Sequence, residues 1–169
     1  ACDMLTTHPY PYWVPFADHD PTLSMRTTLH ATFETAFYAD IGNRPCLVEE
    51  LGTMGPMVCS DNAAADFMRV NLLSNRIHGA EGVLWWCANE QSALTHTPYS
   101  QQMCERELGM RYIDGSPKPV LKETKRLASL IRSPLFDLPT ATADAVCLST
   151  WEQPQWGTAY LTCCLATQA

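Results

Sequence analysis

The stretch PCLVEELG at residues 45–52 decides the fold, because a short apolar run there ends in two carboxylates and a glycine. Such a run is typical of a buried strand in a parallel sheet. An ionised carboxylate is costly to bury along such a strand, except where the strand emerges at its carboxyl end. Parallel α/β folds carry their chemistry at that end, so Glu49 and Glu50 are the first candidate site residues.

The composition indicates a globular chain with the length of one domain. Its 169 residues are 46% hydrophobic and 17% charged, and the net charge is −7. Lys and Arg do not cluster into a patch that would bind nucleic acid or an anionic membrane. No apolar run approaches the ~18 residues that a membrane helix needs. We therefore expect a neutral small-molecule partner, with no nucleic acid and no membrane.

Eight cysteines are present, and none of them forms a C-x-x-C pair. Cys46, Cys87, Cys147 and Cys163 lie in apolar runs, which favours buried free thiols over the alternatives of a disulfide framework or a metal site. The histidines show no metal-ligand spacing, so we predict no metal and no cofactor. Unpaired thiols favour a reducing compartment and a cytoplasmic location, although secretion stays open because the sequence lacks an initiator Met.

Short strand-like runs alternate with segments of helical periodicity, which is the pattern of β/α units. The predicted strands cover residues 2–8, 45–51 and 83–87, and the predicted helices cover residues 22–39, 61–77 and 119–131. The polar stretch 88–117 is too long for an ordinary connection, and loops of that size usually carry function or wrap a site.

Three regions follow from this pattern: a β/α domain at residues 1–133, a linker at 134–142, and the start of a second module at 143–169. A strand at 144–149 and a helix at 155–167 are predicted for the second module. One β/α unit cannot bury its own faces, and the first strand begins almost at residue 1. We therefore expect the sequence to be a piece of a longer protein.

Three strand ends should converge at one edge of the sheet. His8 and Tyr10 follow the first strand, Glu49 and Glu50 end the second, and tryptophans 85 and 86 end the third. Side chains alternate along a strand, so one Glu and one Trp should face the centre. We favour Glu50 and Trp86, and we expect Glu49 to turn outward and pair with a helix.

This edge of the sheet would gather a carboxylate, a phenol, an imidazole and an indole. Such a combination is typical of a sugar-binding site. The indole offers an apolar face to a pyranose ring, and the phenol can hold the carboxylate ionised and oriented. The plainer alternatives are a strand-end ion pair for Glu50, a satisfied strand-end histidine for His8, and a packing aromatic for Tyr10.

The run LVEELG resembles the seventh-strand motif of clan A retaining glycoside hydrolases, the (β/α)8 enzymes that include cellulases, mannanases and β-galactosidases. Residues 3–10, with their His-x-Tyr ending, are similar to the sixth strand of that clan, and residues 82–87 resemble the eighth strand with its platform Trp. RELG at 106–109 and DGSPKP at 114–119 resemble the stretch that leads into the last barrel helix. The resemblance implies the C-terminal portion of a TIM barrel, strands six to eight, followed by a Rossmann-like α/β module.

The resemblance also implies a role for each matching residue. Glu50 corresponds to the nucleophile that attacks a β-linked glycoside, Tyr10 to the phenol that hydrogen-bonds it, and His8 to a ligand of a substrate hydroxyl. Trp86 corresponds to the indole that floors the subsite before the scissile bond.

The clan takes its acid/base from an Asn-Glu pair that ends the fourth strand, before the nucleophile. Asn89 and Glu90 copy that dipeptide but follow the nucleophile, so we expect them, with Tyr99, to line the cleft rim and bind substrate. The chain alone is therefore expected to be inactive. It should associate with itself or with the missing half-barrel, because an open half-barrel leaves sheet edges bare.

Two other functional classes fit the pattern less well. A noncatalytic carbohydrate-binding or scaffold protein would keep the aromatic cleft without the chemistry. A flavodoxin-like nucleotide-binding domain would need a Gly-rich phosphate loop after a strand, and the sequence has none.

Overall fold

The computed structural model describes residues 2–11, 23–41, 43–56, 59–137 and 144–145, without the side chains of residues 23–28 and 103–104. The strand predicted at 144–149 and the helix predicted at 155–167 therefore lie outside the described residues, apart from a bend at 144–145. Cys147 and Cys163 also lie outside them.

Strands and helices alternate along the described chain. The strands are β1 (Leu5–Thr7), β2 (Cys46–Leu51) and β3 (Gly82–Trp85). The helices are α1 (Leu23–Asp40), α2 (Asp61–Ile77), α3 (Met103–Arg106) and α4 (Pro119–Ile131), and a 3-10 turn follows at Pro134–Phe136. Each strand and helix predicted within the described residues is present, although β1 is shorter than expected. The stretch predicted as a loop contains the short α3.

The three strands form one parallel sheet in the order β1-β2-β3. Leu5 lies opposite Cys46, and Leu47 lies opposite Gly82. Parallel neighbours need a crossover connection, and α1 and α2 supply the two crossovers. The α/β prediction is confirmed, and the carboxyl ends of all three strands share one edge.

The ends of α2 and α4 follow directly from the sequence. The Ser60 hydroxyl caps α2 by accepting the Ala63 N–H at 3.2 Å. Gly79 follows α2 with φ +93°, a left-handed conformation that glycine adopts without strain. Pro119 occupies the first turn of α4, where its missing N–H costs nothing.

The core lies between the sheet and its helices in two adjoining clusters. The larger cluster consists of Ala64, Met68, Leu72, Trp85, Val120 and Leu127, and the smaller of Ala31, Val48, Leu51 and Ala80. Trp85 is 9% exposed and meets the Phe67 ring at a centroid distance of 6.3 Å. The Trp85 indole is thus a packing residue, whereas the Trp86 side chain is 38% exposed.

The described cysteine side chains are free thiols. Cys46 is buried, Cys87 and Cys59 are half-buried, and Cys2 is exposed. The predicted burial is therefore confirmed for Cys46 but only partly for Cys87. Within the described residues, His, Cys, Asp and Glu side chains form no group of three that could hold a metal ion. The described helices include none with the length and apolar character to cross a membrane.

Two arginines on neighbouring helices hold the Glu123 carboxylate. Glu123 Oε1 lies 2.6 Å from Arg126 Nη2 on α4 and 2.7 Å from Arg69 Nε on α2. The hydrogen bond from Arg126, and after it the one from Arg69, lowers the pKa of Glu123 from 4.5 to about 2. The ion pairs therefore join α2 to α4.

We predict a matching acid sensitivity. A carboxyl group whose pKa is lower in the folded state stabilises the fold above its unfolded pKa, and this stabilisation is lost as pH falls toward the folded value. The free energy of unfolding should therefore fall between about pH 4.5 and pH 2, and Glu123→Gln should flatten that part of the curve. Urea unfolding at a series of pH values measures it. The control is Asp66→Asn, which removes an exposed partner of the same Arg69; equal slopes for native protein and Glu123→Gln would contradict the prediction.

Candidate active site

The strand ends meet at the carboxyl edge of the sheet around the Glu50 carboxylate. The Tyr10 hydroxyl donates a hydrogen bond to Glu50 Oε2 over 3.1 Å, and His8 Nδ1 lies 3.5 Å from the same oxygen. The Glu50 side chain is 31% exposed, so a ligand can reach it. Sequence reasoning predicted this grouping of His8, Tyr10 and Glu50, and the structure brings the three together.

Tyr10 is the hydrogen-bond donor of the Tyr10–Glu50 pair. Burial, followed by the negative charge of Glu50, raises the pKa of the Tyr10 phenol. The phenol therefore keeps its proton, and Glu50 Oε2 accepts the hydrogen bond from it. This arrangement fixes the direction of one carboxylate oxygen.

Glu49 is exposed, as predicted, but its described partners are His8 and Thr6 beside it and not residues of a helix. Glu49 Oε2 lies 3.3 Å from His8 Nε2, the second nitrogen of the ring that faces Glu50. The register between β2 and β3 is irregular between Val48 and Leu51, which interrupts the strict alternation of side chains. Both carboxylates therefore reach the site.

The backbone after β2 and the backbone at the end of β3 approach closely beside the Tyr10 ring. The Trp86 N–H donates to the Leu51 carbonyl over 2.8 Å. A Cβ on Gly52 would lie 2.6 Å from the Trp86 carbonyl oxygen and 3.6 Å from the Tyr10 ring. Only glycine fits this contact, and the Trp86–Cys87 peptide that follows is cis.

Gly52→Ala should therefore displace the end of β3 together with Trp86. Overpacking against a backbone atom costs roughly 1–3 kcal/mol of the free energy of unfolding, which urea denaturation followed by tryptophan fluorescence measures. Gly82→Ala is the matched control, because a Cβ there meets only the Leu47 side-chain end at 3.2 Å. Equal losses in the two variants would show that the Gly52 contact is not special.

Glu90 is held inside the long loop rather than free at its surface. The Glu90 side chain is 9% exposed, and its Oε1 lies 2.5 Å from the ammonium of Lys118, which is 3% exposed. Glu90 Oε2 accepts the Ile113 N–H over 3.1 Å. Lys118 also donates to the Glu107 carbonyl at 2.7 Å and lies 3.6 Å from Asp61. Lys118, which sequence reasoning missed, thus joins the loop to α2.

The other two predicted rim residues also make contacts within the loop. Asn89 forms a backbone bridge with Arg111, and the Tyr99 ring meets His96 edge-on at a centroid distance of 5.4 Å. A role in substrate binding for Asn89, Glu90 and Tyr99 stays a prediction. Their described partners, unlike those of His8 and Tyr10, do not include Glu50.

A buried polar contact anchors β1 immediately before His8. The Thr7 hydroxyl donates to the Glu34 carboxylate on α1, and His30 Nε2 lies 3.1 Å from the other carboxylate oxygen. Burial alone would raise the pKa of Glu34, but the hydrogen bonds from His30 and Thr7 lower it overall. The anchored charge holds the end of β1, and with it His8, against α1.

Known structures with the same fold were found, although no protein-family profile and no curated protein sequence matches the chain. One is a GH5_18 glycoside hydrolase variant from Bifidobacterium longum subsp. longum in complex with Manβ1-4GlcNAc, with 20% identity, a TM-score of 0.63, and coverage of 78% of this chain and 31% of that one. Another is a GH5_18 variant from Streptomyces cattleya with the same disaccharide, at 24% identity, a TM-score of 0.57, and coverage of 70% and 29%.

A third is an exo-β-1,4-mannosidase from Opitutaceae bacterium strain TAV5, with 27% identity, a TM-score of 0.58, and coverage of 76% of this chain and 22% of that one. The chain thus spans less than a third of each of these structures. Because they are TIM-barrel glycoside hydrolases, the resemblance predicted from the sequence is confirmed at the level of fold. The described chain has the fold of part of a clan A glycoside hydrolase barrel.

Proposed function

We propose that this chain is the C-terminal part, strands six to eight, of a retaining glycoside hydrolase that cleaves β-linked sugars with Glu50 as its nucleophile. One observation carries the proposal. At the carboxyl edge of a parallel sheet, Glu50 accepts a hydrogen bond from Tyr10, faces His8, and stays partly exposed. An oriented, ionised carboxylate that a ligand can reach is what a glycosidase nucleophile requires.

The reaction would proceed by double displacement. Glu50 attacks the anomeric carbon, and the bond from that carbon to the leaving oxygen breaks as an acid donates its proton to that oxygen. Water then hydrolyses the glycosyl ester, which restores Glu50 and the original configuration. Tyr10 holds the carboxylate, His8 binds a substrate hydroxyl, and the Trp86 indole supports the sugar ring.

The general acid is not assigned to this chain. A retaining enzyme holds its two carboxyl groups about 5 Å apart. Glu90 is engaged by Lys118 and the Ile113 N–H, which does not favour an acid that must reach a leaving group. We infer that the acid comes from a part of the protein that precedes this chain.

The solved structures favour one substrate class. Two of them hold Manβ1-4GlcNAc, and a third carries the name of an exo-β-1,4-mannosidase. We therefore infer β-mannosides as the first substrates to test.

Covalent trapping tests the proposal. The full-length protein is treated with a 2-deoxy-2-fluoro-β-mannosyl fluoride, which slows hydrolysis of the ester more than its formation, and is then digested for mass spectrometry. We expect one added fluorosugar, on the peptide that contains Glu50. A label on Glu49 would exclude Glu50 as the nucleophile, and sugar binding without any label would favour the noncatalytic carbohydrate-binding alternative.

We also propose that the chain alone associates with itself or with the rest of the barrel. Leu84 on β3 is 52% exposed, and within the described sheet β1 and β3 each have one unpaired edge. Exposed edges and apolar side chains favour pairing with another strand. Light scattering should show oligomers, whereas a monodisperse monomer would contradict the proposal.

A further inference from the structure

The His8 ring contacts two carboxylates of β2, one through each ring nitrogen. Its Nε2 faces Glu49 Oε2 at 3.3 Å, and its Nδ1 faces Glu50 Oε2 at 3.5 Å. The Glu49 contact meets hydrogen-bond geometry, and the Glu50 contact is the longer one. The ring is therefore anchored on Glu49 and turns its other nitrogen toward Glu50.

The chemistry of the ring makes the two contacts depend on one another. Ionised carboxylates only accept hydrogen bonds, and a neutral imidazole donates from one nitrogen alone. Only an imidazolium, which donates from both nitrogens, makes both contacts attractive. Glu49 and Glu50 thus compete for hydrogen bonds from the His8 ring.

We propose that Glu49 is a positioning residue that holds His8 beside Glu50 without letting the ring pair fully with the nucleophile. The inference rests on the proposed role of Glu50. Without Glu49, the ring would have Glu50 as its remaining carboxylate partner among its contacts at this edge. A close ion pair would then occupy the lone pair that must reach the anomeric carbon, and it would lower the nucleophilicity of Glu50.

Hydrogen bonds from Thr6 and His8 hold the Glu49 carboxylate. Its pKa is lowered by a hydrogen bond from Thr6 and next by the one from His8, so it is ionised at neutral pH. Thr6 and His8 both belong to the β1 end, and Glu34 is a further charge that acts on His8. The irregular register of β2 is what brings Glu49 to this position.

Kinetics of the full-length protein give the first test. Glu49→Gln should lower kcat by roughly tenfold while KM changes by less than about twofold, since Glu49 is assigned no contact with substrate. Glu49→Asp, which keeps the carboxylate, should recover part of the loss. Glu81→Gln is the control, because Glu81 is exposed at the opposite end of the sheet.

A second test does not depend on catalysis. The carboxyl-carbon NMR signal of Glu50 is recorded at one pH in the native chain and in the variants Glu49→Gln, His8→Asn and the double variant. If Glu49 acts through His8, Glu49→Gln moves the signal, and it adds nothing in the His8→Asn background. An unchanged signal in Glu49→Gln, or additive shifts in the double variant, would overturn the inference. Loss of trapping at Glu50 with the NMR coupling intact would instead refute only the proposed function.

Discussion

Glu50→Gln is expected to lower kcat of the full-length protein by on the order of 10⁴-fold, because the amide keeps the shape of the side chain but cannot form the glycosyl ester. KM should change little, since the Tyr10 hydroxyl can still donate to the amide oxygen in place of the carboxylate. Steady-state rates with an aryl β-mannoside measure the effect.

Chemical rescue sharpens this prediction. Glu50→Ala leaves a space at the sugar face from which the carboxylate attacks, and azide can enter it and form the α-glycosyl azide from a substrate with a good leaving group. Glu81→Gln, at the other end of the sheet, should behave like the native protein. Activity of Glu50→Gln within tenfold of the native rate would exclude Glu50 as nucleophile.

Lys118→Met is expected to lower the free energy of unfolding by about 3–5 kcal/mol, because it leaves a buried carboxylate without its counter-charge. The Lys118 and Glu90 side chains are 3% and 9% exposed, so water cannot replace the lost partner. The Asp61 carboxylate and the Glu107 carbonyl lose a partner as well. Urea unfolding measures the change.

The double variant Lys118→Met/Glu90→Gln separates charge from packing. Glu90→Gln removes the carboxylate that Lys118→Met leaves unpaired. The double variant should therefore recover a large part of the lost free energy of unfolding. The Ile113 N–H still has an amide oxygen to bond. A loss below about 1 kcal/mol in the single variant would mean that water reaches Glu90.

Local chemistry made most of the fold predictable. Ser60 before α2 and Pro119 at the start of α4 are helix-start signals that act within one turn. The apolar run before Glu49 could bury both its faces only in a parallel sheet with helices on it. These signals are short-range, so the sequence displays them directly.

The features that were missed depend on contacts distant in sequence or on backbone irregularity. Alternation predicted a helix partner for Glu49, whereas Glu49 contacts His8, and nothing in the sequence at 45–52 marks the irregular register beside it. Lys118 meets Glu90 across 28 positions, and a lone Lys beside prolines does not reveal its partner. His8 and Tyr10 were found because both follow β1 at the carboxyl edge of the sheet, where the topology alone brings strand ends together.

The close approach of Gly52 to the Trp86 carbonyl joins the backbone that follows Glu50 to the end of β3 through main-chain atoms. Substitutions elsewhere in the core can change how firmly the sheet is held, but they do not act as spacers between these two groups. Under the proposed function, the backbone therefore sets how far apart the strand ends that carry Glu50 and Trp86 lie where a sugar ring would bind. Under the same proposal, we expect preference among sugars to arise from the surrounding loops, so those loops are the place to alter substrate choice without changing Glu50 or Trp86.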